Sequence, residues 1–200
     1  MSRIDEMLKG VKVSRKKLGE IAKIETGAQL NKSGLSDSGE FPVYNGGISP
    51  SGFFAKNNRD ENTIAISQGG ASAGFVNFVE TKFWAGAHCF TIIPLRDNEV
   101  DNKFLYYYLK NSQNDLQDTK RGAGIPGLNR GNLEKLEISL PPLAVQREIA
   151  QTLDKFTELE AELEAELEAE LVGRKRQYAY YRDTLLAFAN DKRTPPSGRR

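Results

Sequence analysis

The sequence predicts an α+β fold: a mainly β domain with packed helices, followed by one long α-helix that pairs as an antiparallel coiled coil. Three observations carry this. Short β-branched and aromatic runs alternate with glycine-rich turns up to about residue 140. Pro141 and Pro142 close the last of these runs, and no proline follows until Pro195. The stretch between them, PPLAVQREIAQTLDKFTELEAELEAELEAELVGRKRQYAYYRDTLLAF, reads as one uninterrupted helix to Phe188. At about 1.5 Å per residue it is a rod of roughly 65–70 Å. A compact domain of the preceding residues has a radius of gyration of only about 14–15 Å, so the rod reaches past it. The expected division is a domain at 1–142, the helix at 143–189 and a disordered tail at 190–200.

With 200 residues, 38% of them hydrophobic, the chain suffices for one cored domain plus an appendage. It contains no apolar run of about 18 residues, and its first residues lack the apolar centre of a secretory signal. A soluble, cytoplasmic protein is expected. The single cysteine, Cys89, excludes an internal disulfide framework. The net charge of +1 hides segregation: Glu158, Glu160, Glu162, Glu164, Glu166, Glu168 and Glu170 all fall in the rod, and the remainder is clearly basic. That asymmetry suits an anionic partner for the domain and a different partner for the rod.

Taken in order, Leu18, Ile21, Ala22 and Ile24 form either a short helix flank or the entry to a strand. From Gly27 to Gly52 turn residues dominate, with only FPVYN strand-like. NTIAISQGG, AGFVNFVE and HCFTIIPL are read as three or more strands. KFLYYYLKNSQNDLQ is read as one helix capped by Asp101, with Phe104, Leu105, Tyr108 and Leu109 on one face. A basic glycine-rich loop, TKRGAGIPGLNRGN, follows, and LEKLEISL is a short strand ending at the prolines.

The rod has its own arithmetic. Leu153, Phe156, Leu159, Leu163, Leu167, Leu171, Tyr178, Tyr181, Leu185 and Phe188 recur, with one gap, at an average of about 3.5 residues, the coiled-coil period. Packing on its own domain is the alternative, but so long a helix would overhang it. The seam therefore needs a helix from another chain, most simply a copy of itself. In a parallel pair the seven glutamates would run side by side. An antiparallel pair brings them nearer the partner's Arg174, Lys175, Arg176 and Arg182.

No catalytic constellation is legible. Gly122–Gly127 matches G-x-G-x-x-G, but Pro126 interrupts it and no strand–helix–strand unit surrounds it. Glu80-Thr81-Lys82 resembles the end of a magnesium nuclease site without the upstream acid. His88 and Cys89 are adjacent, which is not metal-ligand spacing, and are expected to be a structural histidine and a buried thiol. No metal site is expected. What the loops hold is a mixture of base-reading and phosphate-binding types: Lys32, Tyr44, Asn45, Ser67, Gln68, Lys82, Lys120, Arg121, Asn129 and Arg130. Singly each is an ordinary surface residue. Grouped between glycines they suggest nucleic acid.

KLGEIAKIETG, FPVYNGGISPSG, ISQGGASAGFVNFVETKFWAGAHCFTIIP and NLEKLEISLPPLAVQREIAQTLDKF together resemble the DNA-specificity subunit of type I restriction-modification systems. The most specific part is the junction of a strand with PPL-x-x-Q-x-x-I-x-x-x-L, from Leu140 to Leu153. The resemblance implies a target recognition domain that reads half of a bipartite double-stranded DNA sequence. It implies a non-catalytic role beside methyltransferase and restriction or motor subunits, which use S-adenosylmethionine, ATP and Mg. Family members typically carry two such domains and two antiparallel helices. This chain looks like half of one, expected to form a homodimer or to be part of a longer chain. The LEAE tetrads resemble repeats that set spacer length in the family. The rival readings are a coiled-coil adaptor without a methyltransferase and an autonomous nuclease or methyltransferase, the latter disfavoured by its missing motifs.

Overall fold

The computed structural model describes residues 9–118 and 128–187. The chain divides into two compact units, residues 1–152 and 153–200.

In the first unit, β1 (Ser14–Lys17) leads into a one-turn helix, α1 (Leu18–Ile21), and then β2 (Ala22–Thr26). The stretch with two open readings is therefore both, helix turn and strand. A 3₁₀ turn (Lys32–Gly34) precedes β3 (Phe41–Tyr44) and β4 (Phe53–Phe54). Next come β5 (Thr63–Ser67), β6 (Val76–Val79), β7 (Trp84–Ala85) and β8 (Cys89–Pro94). Helices α2 (Asn102–Asn111), α3 (Gln113–Asp118) and α4 (Arg130–Glu134) follow, then β9 (Glu137–Leu140) and the long α5 (Leu143–Leu186).

A four-stranded antiparallel sheet, β2-β8-β5-β6, forms the central layer. Register aligns Ile24, Ile92, Ile64 and Phe78 in one row across it and Phe90, Ile66 and Val76 in the next. Because side chains alternate across a sheet, these rows share one face. They meet Phe104, Leu105, Leu109, Leu116, Leu133, Ile138 and Ala150, which form the main core. The opposite face carries the small residues Ala65 and Cys89, and there a second core closes with Val79, Phe83 and Ala85. Strand β5 is buried along its whole length because both faces are covered.

A three-stranded sheet, β4-β3-β7, pairs β3 with β7 in parallel, Val43 opposite Trp84 and Tyr44 opposite Ala85. Strand β1 pairs antiparallel with β9.

Asp101 caps α2 as expected, its carboxylate accepting from Phe104 N at 2.9 Å. The single helix expected over KFLYYYLKNSQNDLQ is in fact two, broken at Ser112. There the hydroxyl donates back to Tyr108 O at 3.1 Å. Gln113 accepts from Val76 N at 3.0 Å and Lys110 Nζ at 3.1 Å, so the break lets the chain hold strand β6.

The first turns of α5 belong to the domain. Gln146 is 1% exposed, an extreme value for a polar side chain. Its Nε2 donates to Glu99 O (3.0 Å) and Pro141 O (2.9 Å), and its Oε1 accepts from Asp101 N at 2.9 Å. Every polar atom of the amide is engaged, which explains why a glutamine stands five residues after the proline stop. From Leu153 onward α5 buries no large side chain: Leu159, Leu163, Leu167, Leu171, Tyr178, Tyr181 and Leu185 are each more than half exposed. Glu170 and Arg174 pair along the helix at 3.3 Å. Phe188 and the expected tail lie outside the described residues. No described helix is long and apolar enough to cross a membrane.

Candidate nucleic-acid interface

Several loops are tied together where β3 and β5 end and β8 begins. Strand β5 delivers Ser67, which is buried and donates its hydroxyl to Gly46 O at 2.6 Å, joining the β5 and β3 loops. Gln68 N donates to His88 O at 2.8 Å, and Leu128 N donates to Gln68 O at 2.8 Å. Asn45 Oδ1 accepts from His88 N at 3.1 Å. Gly86 N donates to Tyr44 O at 2.8 Å, and Gly27 N to Cys89 O at 2.9 Å. The end of β2, the three loops 45–52, 68–75 and 86–88, and the segment entering α4 therefore share one locus.

Glycine makes this crowding feasible. A Cβ on Gly86 would stand 2.3 Å from Asn45 Oδ1, and one on Gly27 would stand 2.2 Å from Gly86 O. Gly46 has φ +84°, a conformation glycine adopts readily.

Of the ten sequence-derived residues, the structure brings Asn45, Ser67, Gln68, Asn129 and Arg130 to this locus. Asn45, Asn129 and Arg130 are exposed and Gln68 is half-buried. Asn129 caps α4, accepting from Gly131 N at 2.7 Å, and Arg130 pairs with Glu134 at 2.8 Å. Tyr44 adjoins the locus through its backbone, but its half-buried ring stands edge-on to Phe83 at 5.6 Å, and burial raises its phenol pKa. Lys82 is exposed and precedes β7, whereas the locus gathers at Gly86, just after that strand. Lys32 begins the 3₁₀ turn. Lys120 and Arg121, with the glycine loop around them, lie outside the described residues.

The expectation for the His88–Cys89 pair is half corrected. Cys89 is buried, and burial pushes its thiol up to about 12. His88, expected to be structural, is exposed at the rim of the loops. Ile48, with 56% of its surface exposed at a loop tip, is a second residue that composition did not single out. Asn77 Nδ2 donates to its carbonyl at 3.2 Å and holds that tip against β6. The available signal was alternation: on a strand entering at Cys89 with its thiol inward, the preceding side chain points outward.

The segments 44–52, 67–76, 84–90 and 128–133 contain no aspartate or glutamate. The nearby carboxylates, Glu25 and Glu134, are ion-paired with Arg59 and Arg130. Glu25 is held below its ordinary value by a hydrogen bond from Lys23, aided by the charges of Arg59 and Arg130, and Arg59 pairs with it at 3.1 Å. Amides, an imidazole and a guanidinium beside carboxylates that are already ion-paired can meet a polyanion and hydrogen-bond to base edges. Among the described residues no group of three or more metal-capable side chains comes together.

Comparison with known proteins agrees with this architecture. Residues 10–171 match the family described as type I restriction modification DNA specificity domain. A type I specificity subunit of Haemophilus influenzae is 34% identical over 190 residues, covering 92% of this chain and 48% of the relative. One from Mycoplasma pneumoniae is 33% identical over 144 residues, covering 72% of this chain and 38% of the relative. The crystal structure of the type I restriction-modification system S subunit from M. genitalium superposes with a TM-score of 0.71 at 28% identity, covering 92% of this chain and 48% of that one. The chain thus spans about half the length of such relatives, or less. It belongs to the family of type I restriction modification DNA specificity domains.

Proposed function

We propose that this chain reads one half of a bipartite double-stranded DNA target and, as a dimer, directs the methyltransferase and restriction subunits of a type I complex. The observation that carries this is the meeting of several carboxylate-free loops at one end of the domain, in a chain of the specificity family. Asn45, Gln68, Asn129 and Arg130 supply hydrogen-bonding groups there, and in this reading Lys120 and Arg121, a few positions earlier in sequence, add charge. The chain is non-catalytic in this reading. S-adenosylmethionine, ATP and Mg belong to the partner subunits, and the complex works in the cytoplasm.

The second part of the proposal concerns α5. Its exposed apolar stripe at coiled-coil spacing suits a second copy in antiparallel orientation, which places two identical readers about a two-fold axis. Each LEAE tetrad adds about 6 Å of helix, nearly two base-pair steps of about 3.4 Å. The stripe also suits an adaptor that binds only protein.

The test is the methylation pattern of DNA from cells carrying this chain and its methyltransferase. An interrupted palindrome is expected, and deleting one tetrad should shorten the spacer while sparing the half-sites. An asymmetric motif would require a second, different half. An unchanged spacer would overturn the ruler, and absence of any sequence-specific methylation would favour the adaptor.

A further inference from the structure

We propose that His88 is a base-reading side chain of this interface and that Asn45 is the positioning residue that aims it; this rests on the DNA-reading function proposed above. His88 is exposed between half-buried Ala87 and buried Cys89. Its backbone is nevertheless held at both polar groups: the amide donates to Asn45 Oδ1 at 3.1 Å, and the carbonyl accepts from Gln68 N at 2.8 Å. Cys89 N donates to Gly86 O at 3.0 Å and closes the arch from Gly86 to Cys89. A Cβ on Gly46 would lie 3.1 Å from both His88 Cβ and His88 O, so the neighbouring loop is packed directly against this residue.

The result is an outward side chain on a backbone that two neighbouring loops hold in place. A base-reading group needs that arrangement, because a contact whose position is set in advance loses less entropy on binding. Neutral imidazole offers one donor and one acceptor, which match the acceptors and donors on major-groove base edges. Ile48 extends the rim with an apolar contact of the kind that meets a thymine methyl.

Asn45 takes a different role from the one its residue type suggests. Reading adenine with two hydrogen bonds uses the amide oxygen and nitrogen together. Here the oxygen is directed at His88 N, and it lies 2.3 Å from where a Gly86 side chain would begin, so the amide rests against the arch. Asn45 acts on the target through His88.

The experiment compares methylation motifs directed by the full chain, assembled with its methyltransferase, for wild type, His88→Ala, Asn45→Ala and Asn45→Asp, with thermal unfolding measured in parallel. His88→Ala should relax one half-site position, its base preference falling about ten- to a hundredfold, with an unchanged melting temperature. Asn45→Ala should relax the same position. Asn45→Asp keeps an acceptor for His88 N and should retain the wild-type preference there, although its charge weakens binding uniformly. An unchanged motif in His88→Ala overturns the proposal. So does relaxation of a different position in Asn45→Ala, or loss of the position in Asn45→Asp, which would make Asn45 the direct reader. A wild-type chain that directs no specific methylation overturns the DNA-reading function itself, and this inference with it.

Discussion

The folded domain and the exposed part of the long helix use the same amino acids in opposite ways. Leu105, Leu109 and Leu133 are fully buried, whereas Leu159, Leu163, Leu167 and Leu171 keep more than half of their surface in contact with water. A fully buried leucine contributes about 1.5–3 kcal/mol through removal of apolar surface from water. The domain has gained that contribution within the chain, and the helix beyond Thr152 has not. A 44-residue helix with a regular apolar stripe therefore has stabilisation still available from a partner.

The comparison is tested most severely at Gln146, which lies in α5 but belongs energetically to the domain. Gln146→Leu strands Asp101 N, Glu99 O and Pro141 O without the amide that satisfies them. We expect denaturant unfolding of the domain to show a loss of about 2–4 kcal/mol. An unchanged midpoint would mean that the joint is looser than its hydrogen bonds imply.

A double substitution farther along, Leu163→Ala with Leu167→Ala, should do the reverse. The domain's unfolding midpoint should move by less than about 0.5 kcal/mol, because neither side chain is buried in it. Self-association measured by sedimentation equilibrium should weaken by tenfold or more, and an unaltered association constant would remove the stripe from the dimer seam.

The smallest effects concern titration within the domain. Burial raises Cys89 from its ordinary 9.0 to about 12. Above pH 9 the unfolded chain loses a proton that the folded chain retains, so this contribution to stability is intact below pH 9 and falls as pH rises toward 12. On the acid side, a hydrogen bond from Lys16 holds Glu99 below its ordinary value, as Lys23 does for Glu25. Their small contributions are present at neutral pH and disappear as pH falls through the carboxylate range. A stability profile flat across both limits would contradict these assignments. In native protein at pH 8 a thiol reagent should leave Cys89 unmodified, and ready labelling would contradict its burial.

Legibility in the sequence followed the range of the interactions. FPVYN, NTIAIS, FVNFV and CFTIIP were recognisable as strands because alternation and β-branching act within a few residues. The Asp101 cap and the proline-bounded helix were readable for the same reason. The break at Ser112 was not, because it is set by Gln113 reaching Val76, 37 positions away in sequence. Strand β7 is only two residues long, and its parallel pairing with β3 brings together residues separated by about forty positions. At the candidate site the residue types were readable, but their grouping was not. Asn45 and Gln68 were singled out for their amides, His88 was read as a structural histidine, and Lys82 was counted with residues on the far side of β7.

By itself the sequence determined the α+β class, the long helix and its 3.5-residue stripe, the crowding of glutamates into that helix and the absence of a familiar catalytic motif. Each depends on local periodicity or composition, which survive without knowledge of long-range contacts. Tertiary structure alone decided which loops meet, that Asn45 holds His88 and that Gln146 ties the first turns of the long helix into the domain. Those outcomes depend on hydrogen bonds spanning some twenty to more than forty residues, and on glycines whose missing side chains matter only once a second loop lies against them.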